Sequence, residues 1–356
     1  MSIDRSDIDD GTRRGASQLL ARAAAALGRA DRGLAQATDD FFVPDDARLD
    51  DRTRAAMAGT LAATVAAVEG DLWRHAARSL AAAGDDDRAR WLGEGDPVLG
   101  RLVASGVLRD PDLMRELIAR TRQDLLADIL PSAAPDEAGA SSLLARMTAS
   151  ADAHVANAAL ALMAAEGRRR TFLDTNKLNQ TELPAELHHR LVWWVAAAIH
   201  EQLAGDEADR AIADAALRAL SQHDESDRVE GAAMRLAAAI DPRPGELPAL
   251  LTHALGDRNV ALFIAILALA SRFDFAVTRQ LVVAGGDPLW LALRAIDLDR
   301  ATIARIGLAL SDDVEAFADQ LDGIVAVDAA AARAALAPLA LPAEFRAAIA
   351  SLAVAR

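Results

Sequence analysis

The densest run of groups able to do chemistry is Glu186-Leu187-His188-His189-Arg190-Leu191-Val192-Trp193-Trp194. At about 3.6 residues per turn, Glu186, His189, Trp193 and His200 fall near one face of a helix. Leu187, Leu191, Trp194 and Ala198 form the opposite stripe, which is expected to enter the core. Indole and imidazole side by side combine an apolar body with polar edges, a composition suited to binding a partner or a ligand. The alternative is that a neighbouring helix covers Trp193. Metal binding by His189 and His200 would need ligands from elsewhere in the chain. His200-Glu201 opens like the HExxH motif of zinc proteases, but Ala204 stands where the second histidine is required.

Arg168-Arg169-Arg170 is the strongest basic cluster. Guanidinium forks suit an anion or a phosphorylated partner. At the end of a helix, here expected to stop at Gly167, the same cations complement exposed carbonyls. With His189, Trp193 and His200, these arginines make up the candidate partner-binding set. The run from Gly95 to Leu102 imitates the phosphate loop GxxxxGK[ST]. Arg101 replaces the lysine, Leu102 replaces the hydroxyl that would hold magnesium, and no strand is expected before it. A loop leading into a helix is expected there instead. Asp85-Asp86-Asp87 suggests a cation site, yet carboxylates ahead of a helix more often complement its dipole. No GxSxG elbow and no pair of catalytic carboxylates can be assigned. The expectation is therefore a non-enzymatic protein with no catalytic residue, no metal and no cofactor.

Composition narrows the partners. The chain has 38 basic and 53 acidic residues, a formal net charge of −15, and its sole lysine is Lys177. Such a surface repels phosphate backbones and anionic membranes, so neither nucleic acid nor a membrane is expected as a partner. Cysteine is absent, which excludes disulfides and thiolate chemistry. The first thirty residues show no signal-peptide pattern, and a cytoplasmic setting is expected. Oligomeric state does not follow from the sequence.

The elements that must position these groups read as helices throughout. Hydrophobic residues are 52%, alanine supplies much of that share, and alternating β-branched runs are missing. The organising element is expected to be Asp257 to Arg272, DRNVALFIAILALASR. It is apolar on all sides, too short to cross a bilayer, and so must be covered by protein. Asp257 reads as its N-cap. Upstream, Thr12 to Ala37 reads as a helix, and TDDFFVPDDARLDD as an acidic linker whose Phe41-Phe42-Val43 either pins it to the domain or docks a partner. Arg52 to Ala83 reads as one long helix or two stacked ones. Short helices are expected at Val98–Ser105, Pro111–Arg120 and Gln123–Leu130, and longer ones at Leu143–Glu166 and from Leu183-Pro184 to about Leu203.

From Asp209 onward, Asp-Arg pairs at 209, 227, 257 and 299 are each expected to open a helical run. The last two lie 42 residues apart in the numbering, close to the repeat of about 40–47 residues in HEAT and armadillo proteins. The Ala-rich helices near 329–337 and 343–353 would form a polar-faced cap for such an array. The expected fold is an all-α, HEAT- or armadillo-like α-solenoid, irregular in its N-terminal half. Its expected divisions are residues 1–50, 51–205 and 206–356.

Three stretches carry a resemblance to a known family. They are GEGDPVLGRLVASGVLRDPDLMRELI (Gly93 to Ile118), Leu183-Pro184-Ala185-Glu186-Leu187 running into Arg190-Leu191-Val192, and Leu247 to Leu293 with Ala254-Leu255-Gly256-Asp257. Over about Arg88 to Asp312 the chain resembles a bacterial all-helical, HEAT-like family known as a domain of unknown function. The resemblance implies the fold and no activity. The function expected is an adaptor or regulator that binds another protein, one with a basic surface, through one face of the array. The alternative is a small-molecule or lipid-binding protein with a pocket lined by Leu, Phe and Trp.

Overall fold

The computed structural model describes residues 18–23, 26, 51–91, 97–130, 141–175, 182–203, 205–311 and 313–354. The Phe41-Phe42-Val43 tag, most of the first expected helix and the start of the imitation phosphate loop lie outside them. Every regular element among the described residues is helical, and none is a strand. The fold is all-α.

The first helices in chain order are α1 (Asp51–Ala82), α2 (Asp86–Trp91), α3 (Leu99–Ser105), α4 (Pro111–Ile129), α5 (Leu143–Thr148) and α6 (Ala153–Thr175). There follow α7 (Ala185–Gln202), α8 (Asp206–Gln222), α9 (Val229–Ile240), α10 (Leu247–Gly256), α11 (Val260–Ser271) and α12 (Phe275–Ala284). The chain closes with α13 (Gly286–Ala295), α14 (Arg300–Leu310), α15 (Val314–Val325), α16 (Ala329–Leu336) and α17 (Ala343–Val354). Two compact units result. One draws on Leu34–Thr121 and Ala161–Ala232, the other on Met1–Gly33, Arg122–Leu160 and Ala233–Arg356.

The first unit is built around α1. Met57, Leu61, Val65, Val68, Leu72, Ala76 and Leu80 recur every three or four residues and are buried, the stripe of a core-facing helix. Helix α8 meets α1 with Ala208, Ala211, Ile212, Ala215, Ala216 and Ala219. Small side chains on α8 against large ones on α1 let the two helices approach closely. Helix α7 packs on both. The sequence assigned no organising role to α1, because its apolar residues are diluted by alanine and charge.

The second unit is organised as expected around the apolar helix. In α11, Val260 through Ala268 are all buried, and α10 and α12 pack on it. Its cap is not Asp257. Asn259 is the N-cap, accepting the Leu262 N–H at 2.9 Å. Asp257 follows the end of α10, and its carboxylate accepts the Leu143 N–H. Arg258, between them, takes a left-handed φ of 57°. Its guanidinium donates to the Leu130 carbonyl at 2.7 Å, a contact that offsets the cost of that backbone conformation.

The Asp-Arg pattern needs correction. Of the four aspartates only Asp299 caps a helix, accepting from Thr302. Asp209 lies inside α8, Asp227 in a 3-10 turn ahead of α9, and Asp257 beyond the end of α10. Three boundaries also differ. Helix α4 runs unbroken through Thr121, which is 1% exposed; packing overrides the weak helix propensity of threonine. The segment expected as one helix at Leu143–Glu166 is two, α5 and α6, with Asp152 accepting the His154 N–H ahead of the second. Helix α6 does not stop at Gly167 but continues through the three arginines. Finally, α17 presents no polar cap: Phe345, Ile349 and Leu352 are exposed on it.

Candidate functional site

Helix α7 is held on one side and open on the other. Leu187, His188, Leu191, Val192, Val195, Ala196, Ala198 and Ile199 are buried, and Trp194 is half-buried. Arg190 pairs with both Asp110 and Asp112 at the start of α4. The Arg190 hydrogen bond holds the Asp112 carboxyl below its ordinary range. Near the far end, Glu201 takes a two-pronged contact from Arg101. These ties fix the orientation of the outward face.

That face carries Glu186, His189, Trp193, Ala197 and His200, all exposed. Trp193 Nε1–H donates to His189 Nε2 at 3.2 Å, and the rings meet edge-on with centroids 6.3 Å apart. The bond makes Nε2 of His189 the acceptor and leaves the proton of the neutral ring on Nδ1. Trp193 keeps 37% of its surface in solvent. His200 Nδ1 lies 2.8 Å from an Asp209 carboxylate oxygen on α8. His189 and Trp193 therefore form one exposed unit, while His200 is engaged separately. Among the described residues, no group of three or more potential ligands could hold a metal ion.

The three arginines do not act as one cluster. Successive helical residues point about 100° apart, and each arginine goes its own way. Arg168 Nη2 donates to the Asp227 carbonyl at 2.9 Å. Arg169 is largely buried and pairs with Glu182 at 2.7 Å. Arg170 is exposed and reaches Glu166 at 3.5 Å. Arg169 thereby joins a buried ionic network. In it Arg120, with 6% of its side chain exposed, reaches Glu116, Glu182 and Glu230, and Arg228 reaches Glu116 and Glu230.

The Asp85 to Asp87 run has a structural use. Asp85 accepts the Arg88 N–H at 3.2 Å and pairs with its guanidinium, and Asp87 pairs with Arg90. These are the short-range contacts of carboxylates at a helix start.

Beside the ionic network lies a pocket of about 450 Å³. Helix α1 contributes Asp71, Arg74, His75 and Arg78; Arg168 comes from α6 and His188 from α7. The end of α8 and the turn after it add His223, Asp224, Asp227 and Arg228. His188 and His223 stack with centroids 4.0 Å apart and planes 15° apart, and His223 Nε2 lies 3.0 Å from the Leu183 carbonyl. Burial, reinforced by the neighbouring His223, pushes the His188 pKa down to about 4. Burial also lowers His223, and it lowers His75 together with the positive charges of Arg78 and Arg218.

Sequence reasoning singled out neither this pocket nor the ionic network. One signal for the pocket was present. His188, Val192, Val195 and Ile199 repeat at i, i+4, i+7 and i+11, which places a histidine in an apolar row.

These elements define an all-helical domain with an open aromatic face and a polar pocket. Residues 137–344, more than half of the chain, match the model of a family described as an uncharacterised protein conserved in bacteria (DUF2336), and the chain belongs to that family. The match begins later and ends later than the resemblance read from Arg88 to Asp312. The stretch Gly93 to Ile118 lies outside it. No curated protein and no solved structure matches the chain.

Proposed function

We propose that the protein is a non-enzymatic interaction module, an adaptor or regulator that binds a partner protein through the outward face of α7. The observation that carries this reading is Trp193, exposed on a helix whose other side is buried and whose ends are tied by Arg190 and Glu201. A large aromatic on a rigid support loses little entropy when it is covered, which is how binding hot spots work. In the second unit α10, α11, α12 and α13 each pack on the next. That order favours a HEAT-like array, an architecture that offers long binding surfaces. A formal charge of −15 favours a partner with a basic surface, and we propose a cytoplasmic setting. Among the described residues, no single helix is long and apolar enough to cross a membrane.

The test is affinity capture from the native cell with the wild-type chain and a Trp193→Ala/His189→Ala variant. The double variant is expected to fold and to lose more than about 2 kcal/mol of binding to a specific partner. Wild-type association is expected to slow as salt rises. A folded double variant that captures every wild-type partner would remove this function from the α7 face.

A further inference from the structure

We propose that the pocket between α1, the Arg168 turn of α6 and the end of α8 binds a small phosphate monoester bearing hydroxyl or amino groups, with Arg78 and Arg168 holding the phosphoryl group. This inference is independent of the α7 face.

The charges around the pocket divide into committed and open ones. Asp71 pairs with Arg74. Glu182 lies between Arg120 and Arg169, and Arg228 is shared among Glu116, Glu225 and Glu230. Arg78 and Arg168 differ. Arg78 donates to the Arg74 carbonyl at 3.0 Å and contacts His75 Nδ1 at 3.1 Å. Arg168 donates to the Asp227 carbonyl. None of these acceptors is a carboxylate, so among the described residues neither guanidinium is held in an ion pair. Both residues are solvent-exposed, so a ligand reaches them without unfolding the unit. Guanidinium groups recognise phosphoryl oxygens through paired, charge-assisted hydrogen bonds.

The rest of the lining selects the rest of the ligand. About 450 Å³ is more room than a bare phosphate fills and lies in the range of small-molecule sites. Asp224 and Asp227 line the same space. They disfavour a ligand that is anionic throughout and accept hydrogen bonds from hydroxyl or amino groups. His75, His188 and His223, held neutral at physiological pH, offer polar edges and add no charge. Ala219 is the sole apolar residue in the lining, which suits a sugar phosphate better than a lipid chain.

The test is isothermal titration calorimetry of the full chain with glucose 6-phosphate, glycerol 3-phosphate, glucose and inorganic phosphate. Saturable binding of at least one ester, tighter than glucose or inorganic phosphate, is expected. Arg78→Gln combined with Arg168→Gln should weaken that binding by about tenfold or more. Arg78→Gln alone, with the α6 contact intact, should give a smaller loss. Unchanged thermal melting of both variants would show that the fold is retained. Three results would each overturn the proposal: no ester binding up to about 10 mM, equal binding of inorganic phosphate and the esters, or ester binding that survives in the folded double variant.

Discussion

Acidification should destabilise the first unit through His188. The ring is 6% exposed, stacks on His223 and is hydrogen-bonded to the Ala219 backbone. Its ordinary pKa of 6.5 falls to about 4 in the folded chain. Between those values the unfolded chain takes up a proton that the folded chain refuses, so stability falls as pH falls. From these two values the linkage relation gives a loss of about 2 kcal/mol by pH 5 and about 3 kcal/mol near pH 4. Loss of the second stacked imidazole's neutrality adds in the same direction, since burial also depresses His223. The carboxylates of Asp112, Glu201 and Asp299, whose pKa values are lowered, lose their stabilisation only at still lower pH; Glu69, raised by burial, works in the opposite sense. A His188→Gln variant shares all of these and lacks only the imidazole. Urea denaturation between about pH 7.5 and pH 5 should give the wild type a loss about 2 kcal/mol larger than that of the variant. Equal pH slopes in the two proteins would show that His188 is not the group being titrated.

Arg120→Met should cost about 3–5 kcal/mol in chemical denaturation, because it leaves Glu116, Glu182 and Glu230 without the cation they share; a loss under about 1 kcal/mol would mean the network relaxes into water. Phe263→Ala, at a fully buried position in α11, should cost about 3–5 kcal/mol by the same measurement, and near-neutrality would refute the central place of that helix. Gly307→Ala should destabilise the α14–α15 pair by about 1–3 kcal/mol, since an added Cβ would lie 1.9 Å from the Phe317 ring. Adding Phe317→Leu should recover part of that loss if the clash is its cause.

What was legible in the sequence was whatever a helix decides within itself. The outward set Glu186, His189, Trp193 and His200 follows from spacing alone, and all four are exposed. The apolar run of α11 needed no partner to be read as buried. The misreadings arose where a distant group decided. Asp257 and Asn259 are both good capping residues two positions apart, and local pattern cannot rank them. The choice is made by the Leu143 amide, 114 residues away, which takes the Asp257 carboxylate and leaves Asn259 to start the helix. Arg168 to Arg170 look like one patch in the sequence because adjacency is visible there and facing is not. Once Gly167 fails to end α6, the helix turns the three side chains in three directions. The pocket is the extreme case of this. Arg78 lies on a solvated face of α1, Arg168 on α6, and Asp224 in the turn after α8; each alone reads as ordinary surface. The alanine face of α8 allows a close approach to α1, which brings the turn after α8 and its Asp224 to the same pocket as Arg78. The residues with the most to say about binding are thus brought together by the least chemically expressive residue in the chain.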